Sequence, residues 1–141
     1  MSSYIDWRKI HIESTDVEGV WQTMEDFFFP LDDCSGKAVL IKAGFPTDGA
    51  SIPKIFWNVY DPLDIRYRNS AILHDGLYRA RLFPRDICDN WLYEAMVRQG
   101  CSWWTRTVIY KHVDWYGGSA YNSNSDASIA EARKYVSLVE V

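Results

Sequence analysis

Ala71-Ile72-Leu73-His74-Asp75-Gly76-Leu77-Tyr78 is the stretch from which the rest of the chain can be read. A His-Asp pair stands in an otherwise apolar run, and a tyrosine follows the histidine by four positions. On a helix, successive residues turn by about 100°, so His74 and Tyr78 share a face while Asp75 is carried to one side. The helix holding this run is expected over residues 66–82. A second follows almost at once, over 84–99, with proline at its start and Gly100 just past its end, the asymmetry of helix termini. So short a link makes the two helices neighbours, in antiparallel order. On the second helix Asp89 falls on the side of Leu92, Tyr93 and Met96. A carboxylate on a largely apolar face is costly to desolvate unless something pairs with it, and His74 is the obvious candidate. A histidine bonded through one ring nitrogen to a carboxylate is fixed in tautomer, and its other nitrogen becomes a base. The same contact could equally satisfy two polar groups in a core. Residue types leave both readings open, and Tyr78 reads first as a packing residue that bonds a carboxylate.

Outward from these helices, residues 1–45 read as β. Tyr4 to Ile12 alternates loosely, Val20 to Phe29 has period-two character up to Pro30, and Lys37 to Ala43 is a short apolar run, so a small antiparallel sheet of three or more strands is expected. Gly44 to Pro53 is a loop with two prolines and two glycines, free to present backbone groups to something other than a strand. A third helix is expected over 103–115, ending at Gly117-Gly118. After a polar spacer, Asn122 to Ser125, an amphipathic helix is expected over 126–139, with Ser128 and Glu131 at capping-box spacing. The expected fold is thus α+β: an N-terminal antiparallel sheet of short strands, three packed helices that carry the site, and a C-terminal helical extension. Residues 1–121 are read as a single domain, and 122–141 as spacer and helix.

At 141 residues one domain can bury a core without metals or disulfides. A net charge of -4 and a pI near 5.3 argue against a general nucleic-acid binder. Cys34, Cys88 and Cys101 are odd in number and widely spaced, which suggests neither a disulfide framework nor a zinc site, and a fold built for a reducing cytoplasm. The N-terminus lacks a basic region followed by an apolar run, and no apolar segment reaches spanning length, so a soluble chain without export signal is expected. Seven tryptophans and nine tyrosines suit a core, a protein contact surface, or both.

Arg66, Arg68, Arg79, Arg81 and Arg85 concentrate positive charge against the acidic balance. Near a pocket such a cluster suits a phosphate-bearing ligand or an anionic membrane surface, with Arg79 and Arg81 as the anion-binding pair; on a solvated helix face it needs no ligand. Asp75 has two roles open to it, a salt bridge to a nearby arginine or ligation of a hard cation with loop carbonyls. A metal-dependent phosphohydrolase of the HD type would need further ligands, for which only His11 and Asp114 offer themselves.

Four motifs in order carry a resemblance: Gly44-Phe45-Pro46-Thr47-Asp48-Gly49-Ala50-Ser51-Ile52-Pro53, His74-Asp75-Gly76-Leu77-Tyr78, Asp89 with Glu94-Ala95-Met96, and Gly117-Gly118-Ser119-Ala120-Tyr121. Over residues 37–121 the chain resembles a family of uncharacterised proteins found mainly in tailed bacteriophages and prophages. That resemblance implies a phage context and a soluble α+β domain. The expected location is the host cytoplasm during synthesis or the virion, with other virion proteins or further copies of itself as partners. His74-Asp75 with Tyr78, followed by Asp89, also resembles phospholipase A2, especially its viral-capsid form. This second resemblance implies His74 as base, Asp89 as the carboxylate that orients it and Tyr78 bonded into the dyad. It further implies calcium held by Asp75 and the Asp48-Gly49 loop, with host membrane lipid as substrate. The competing expectation is a structural virion component, in the tail or head-tail region, whose His-Asp-Tyr cluster is scaffold.

Overall fold

The structure, a computed structural model, describes residues 5–47 and 67–140. Seven strands and four helices follow in the order β1 (Ile5–Asp6), β2 (Ile12–Ser14), β3 (Trp21–Thr23), β4 (Phe27–Pro30), β5 (Lys37–Ile41), β6 (Pro46–Thr47), α1 (Arg68–Ala80), α2 (Arg85–Arg98), α3 (Trp103–Asn122), α4 (Asp126–Ala132) and β7 (Val136–Glu140), with a 3-10 turn at Trp7–Lys9. The architecture is α+β, as the sequence implied. The strands form two sheets, β1-β4-β5-β7 and β2-β3-β6. Every pairing is antiparallel except β1 with β4, which is parallel. No helix among the described residues is long and apolar enough to cross a membrane.

The alternating stretch from Val20 to Phe29 is not one strand but two, in different sheets. Side-chain hydrogen bonds explain the break. Thr23, buried at the end of β3, donates its hydroxyl to the Lys42 carbonyl at 2.9 Å and accepts the Phe45 N–H at 3.0 Å. Asp26 accepts the Ala43 N–H at 2.9 Å. These bonds tie the chain between β3 and β4 to the segment after β5, and a continuous ladder cannot pass through them. Beyond the break, Phe27 and Phe29 point into the core while Phe28 and Pro30 are half-buried, the period-two signature of a strand with one covered face.

The largest departure lies at the C-terminus. The expected helix over 126–139 ends at Ala132, and Val136–Glu140 is a strand paired with β5 over five residues, from Ile41↔Val136 to Lys37↔Glu140. Val136-Ser137-Leu138-Val139 holds two β-branched valines but no strict period, and a partner strand with buried residues on both faces decides in favour of β. The helix begins at Asp126 as expected, and its cap is Ser125, which accepts the Ser128 N–H at 3.1 Å.

Helix α1 crosses the sheet at Gly76. A Cβ there would lie 3.0 Å from Ile41 Cδ1 and 3.3 Å from Val136 Cγ2, so glycine is what lets the helix sit this close to β5 and β7. Ile72, Leu73 and Leu77 complete the contact and join Phe27, Phe29 and Val39 in one core. Cys88 and Cys101 are buried small apolar groups, as expected, and burial pushes the Cys88 thiol up to about 12.

Candidate functional site

Helix α1 presents His74 and Tyr78 one turn apart, with ring centroids 4.1 Å from each other. The antiparallel helix α2 brings Asp89 to both: His74 Nε2 lies 2.8 Å and the Tyr78 hydroxyl 2.5 Å from the same oxygen, Asp89 Oδ1. Asp89 is buried on a helix whose buried residues include Leu92 and Met96 of the face read from the sequence, while Tyr93 of that face is half-buried. The histidine side chain is 12% exposed against 4% for the aspartate. A carboxylate only accepts, so Nε2–H is the donor and the lone pair lies on Nδ1, which makes no hydrogen bond to any described residue. The dyad is therefore buried at its carboxylate end, and its histidine side chain keeps a small exposed fraction.

A third group on Asp89 was not singled out from the sequence. Arg85, one turn earlier on α2, places Nε 3.9 Å from Asp89 Oδ2. Its Nη2 donates to the Val113 and Asp114 carbonyls of α3, at 3.0 and 2.5 Å. The i, i+4 spacing of Arg85 and Asp89 was the available signal. Gly117-Gly118, read as the end of α3, instead lies inside it, for the helix runs on to Asn122. A Cβ at Gly118 would sit 3.3 Å from Arg85 Nη1, so the missing side chain admits the guanidinium to the α3 backbone. Beyond it, the Tyr121 ring packs edge-on against Tyr78 at 5.2 Å, and its hydroxyl donates to the Phe83 carbonyl at 3.1 Å. Three of the four sequence motifs thus meet at the dyad.

The remaining arginines of the cluster act as carbonyl clamps. Arg68 donates to Ile10 O at 2.8 Å, Arg79 to Pro46 O, and Arg81 to Tyr121 O at 3.0 Å. Arg79 also lies over the Phe45 ring and Arg81 over the Tyr121 ring, each at 4.7 Å. Through these bonds the pair expected to take an anion joins α1 to β6 and to the end of α3. Arg66 lies outside the described residues, as do Asp48 and Gly49.

For the implied calcium, the described part of the donor set is Asp75. Its Oδ2 lies 3.6 Å from Arg79 Nη1, so a guanidinium already faces the carboxylate that would meet the metal. A neighbouring cation opposes a dication there, and no group of three or more His, Cys, Asp or Glu that could hold a metal occurs among the described residues. Asp48 and Gly49, the rest of the implied set, lie outside the described residues, and no step below passes through the ion. His11, the further ligand a phosphohydrolase would need, is exposed and paired with Glu25 at 3.2 Å.

Desolvation, and after it the hydrogen bond to Asp89, holds the Tyr78 phenol above its ordinary value of 10. Above pH 10 the unfolded tyrosine therefore ionises while the folded one keeps its proton. The folded state then binds more protons, and this contribution to stability is lost as pH rises through that window. At neutral pH Tyr78→Phe is expected to cost about 1–3 kcal/mol through the lost bond. Urea unfolding of both proteins should show that gap narrowing above pH 10, and a gap independent of pH would contradict the assignment.

The family described as "Protein of unknown function (DUF1353)" matches residues 21–113. The chain belongs to this family. The matched DUF1353 span contains His74, Tyr78, Arg85 and Asp89, while Gly118, Tyr121 and β7 follow it. A Sinorhizobium fredii (strain NBRC 101917 / NGR234) protein, "Uncharacterized protein y4jT", is 27% identical over 103 residues, which is 72% of this chain and 30% of that protein. The chain therefore spans less than a third of the length of that curated relative. No solved structure matches it.

Proposed function

We propose that the DUF1353 chain is an ester hydrolase in which His74 is the general base and Asp89 the carboxylate that orients it. One observation carries this reading: Nε2 is fixed on a buried carboxylate while Nδ1 is left without a partner among the described residues. Nδ1 removes a proton from water as the water oxygen bonds to the acyl carbon. The imidazolium, stabilised by Asp89, then returns that proton to the leaving alkoxide as the acyl–oxygen bond breaks, giving an acid and an alcohol. Tyr78 donates to Asp89 and holds it in place. The likeness to phospholipase A2 at His74-Asp75, Tyr78 and Asp89 favours a lipid ester of the host envelope as substrate, and the motif likeness to phage proteins favours action during entry or lysis.

The test is hydrolysis of phosphatidylglycerol and phosphatidylethanolamine vesicles by the purified full chain, with calcium and with a chelator. His74→Ala should lower the rate by about 10²–10⁴-fold and leave the unfolding midpoint within a few degrees of wild type. Equal activity in the two proteins removes the hydrolase reading, and a chelator-sensitive rate would restore calcium to the site.

A second reading, a virion scaffold, is favoured by the burial of Asp89 beneath two donors, which also serves to lock α1 to α2. Presence in purified virions at a fixed stoichiometry, with no hydrolysis by wild type, would support it.

A further inference from the structure

The turn between β4 and β5 lies against α2, and Arg98 fixes the two together. Its guanidinium donates to the Pro30 and Leu31 carbonyls at 2.5 and 2.8 Å, and it lies 3.2 Å from Glu94 Oε1 and 3.7 Å from Asp32 Oδ2. Between turn and helix is a cavity of about 320 Å³, open to solvent, whose walls include Asp32, Asp33, Asn90, Trp91, Glu94 and Arg98. A second, of about 360 Å³, is lined by Asn90, Tyr93, Glu94 and Tyr110. Each falls within the roughly 300–1,000 Å³ of ligand pockets. Asn90 and Glu94, one helical turn apart on α2, belong to both cavities, so one extended ligand can occupy the two.

Two kinds of surface meet in these cavities. Trp91 is half-buried and held edge-on to Phe29 with centroids 6.0 Å apart, while Tyr93 and Tyr110 stand at 81° with centroids 5.6 Å apart. Such rings are rigid, flat and apolar on their faces. The hydrogen-bonding groups around them are both donors and acceptors. Asn90 Oδ1 accepts the Tyr110 hydroxyl at 3.3 Å, which leaves the Asn90 Nδ2 donor without a partner among the described residues. Glu94 Oε2 and Asp32 Oδ1 accept no hydrogen bond from a described residue. An ammonium ligand brings donors only and leaves the Asn90 amide unmatched; a phosphate brings acceptors only and meets three carboxylates. A hydroxyl both donates and accepts. Arg98 already offsets the charge of Asp32 and Glu94, so the ligand need carry none. We propose that the two cavities form a binding site for a neutral oligosaccharide of at least two sugar rings. One ring stacks its C–H face at Trp91 and the next at Tyr93 and Tyr110, with Asn90 and Glu94 bonded to hydroxyls at the junction. The inference is independent of the hydrolase reading and uses none of its residues.

Amide NMR titration of the full chain tests it, with maltotriose, cellotriose and tri-N-acetylchitotriose as probes and spermidine and inorganic phosphate as charged controls. At least one of the three sugars should shift the signals of residues 90–94 and 110 in a saturable way. Trp91→Ala should weaken that binding at least tenfold. Because Trp91 also packs on Phe29, the exposed Asn90 supplies a second pair of variants. Asn90→Ala and Asn90→Asp, with native circular dichroism, should each weaken sugar binding about tenfold, the latter because it turns a donor into an acceptor. The proposal is overturned if none of the three sugars shifts these signals at tens of millimolar, or if the Asn90 variants bind sugar as wild type does. It is likewise overturned if spermidine or phosphate shifts them at lower concentration than any sugar, or if Asn90→Asp tightens spermidine there as it would in a cation site.

Discussion

A chain lacking residues 134–141 is expected to lose cooperative folding altogether. Strand β7 is a neighbour of β5, and Val39, Leu40 and Ile41 of β5 are all buried, so removal opens an apolar edge in the middle of the core. The cut also takes the Lys42 N–H to Tyr135 O bond and the Val136 side chain, which packs on Gly76. Each apolar side chain of this class stabilises by about 1.5–3 kcal/mol when buried. Losing Val136 and uncovering two residues of β5 therefore costs on the order of 5 kcal/mol or more, comparable with the roughly 5–15 kcal/mol that holds a whole domain together. The exposed strand would then be a template for aggregation. Circular dichroism against temperature would show a sloping trace with no midpoint, and the protein should partition to the pellet. Val136→Asp should have the same effect without shortening the chain. A truncated protein that melts like wild type would mean that β7 is peripheral.

The same strand marks where sequence reading stopped. Helices α1 and α2 were legible to within two residues at each end, because long apolar periodicity, Pro84 and Gly100 are local signals, and Gly100 does adopt the positive φ of a helix terminus. Residues 126–139 were not, because Asp126 to Ala132 is a true helix start and the pattern in Val136 to Glu140 suits either structure until β5 supplies its partner. Gly117-Gly118 misled for a related reason. Glycine ends a helix when its conformation is what matters, and here its missing side chain matters, making room for Arg85. A close approach between distant segments leaves no periodicity to read.

Within the site, His74, Tyr78 and Asp89 were found by face analysis of two adjacent helices, which needs only the 100° step and a short connection. What escaped it was the use of the arginines. Charge clusters read as surfaces, but Arg68, Arg79, Arg81 and Arg85 each donate to a main-chain carbonyl of another element, and such targets carry no side-chain identity that a sequence could display. The cost of leaving buried carbonyls unsatisfied gives these arginines a structural duty that competes with any ligand.

Asp89 is the position where the two readings of the site part company. Asp89→Ala removes the acceptor of both His74 Nε2 and the Tyr78 hydroxyl and leaves Arg85 facing no carboxylate. Two buried donors without a partner cost about 2–5 kcal/mol, so this variant should be severely destabilised whether or not the protein is an enzyme. Asp89→Asn is the informative change. Its carbonyl oxygen can still accept both donors that now converge on Oδ1, so the helix pair should remain folded at a cost of roughly 1–2 kcal/mol. Its amide is neutral, however, and cannot stabilise an imidazolium, so hydrolysis should fall by about 10²–10⁴-fold. Urea unfolding and vesicle hydrolysis measured on one preparation give the comparison. Loss of stability in proportion to loss of rate would make the cluster a tie between helices. A folded Asp89→Asn protein with almost no rate would make it a dyad, because only proton transfer at His74 distinguishes a carboxylate from an amide held in the same place.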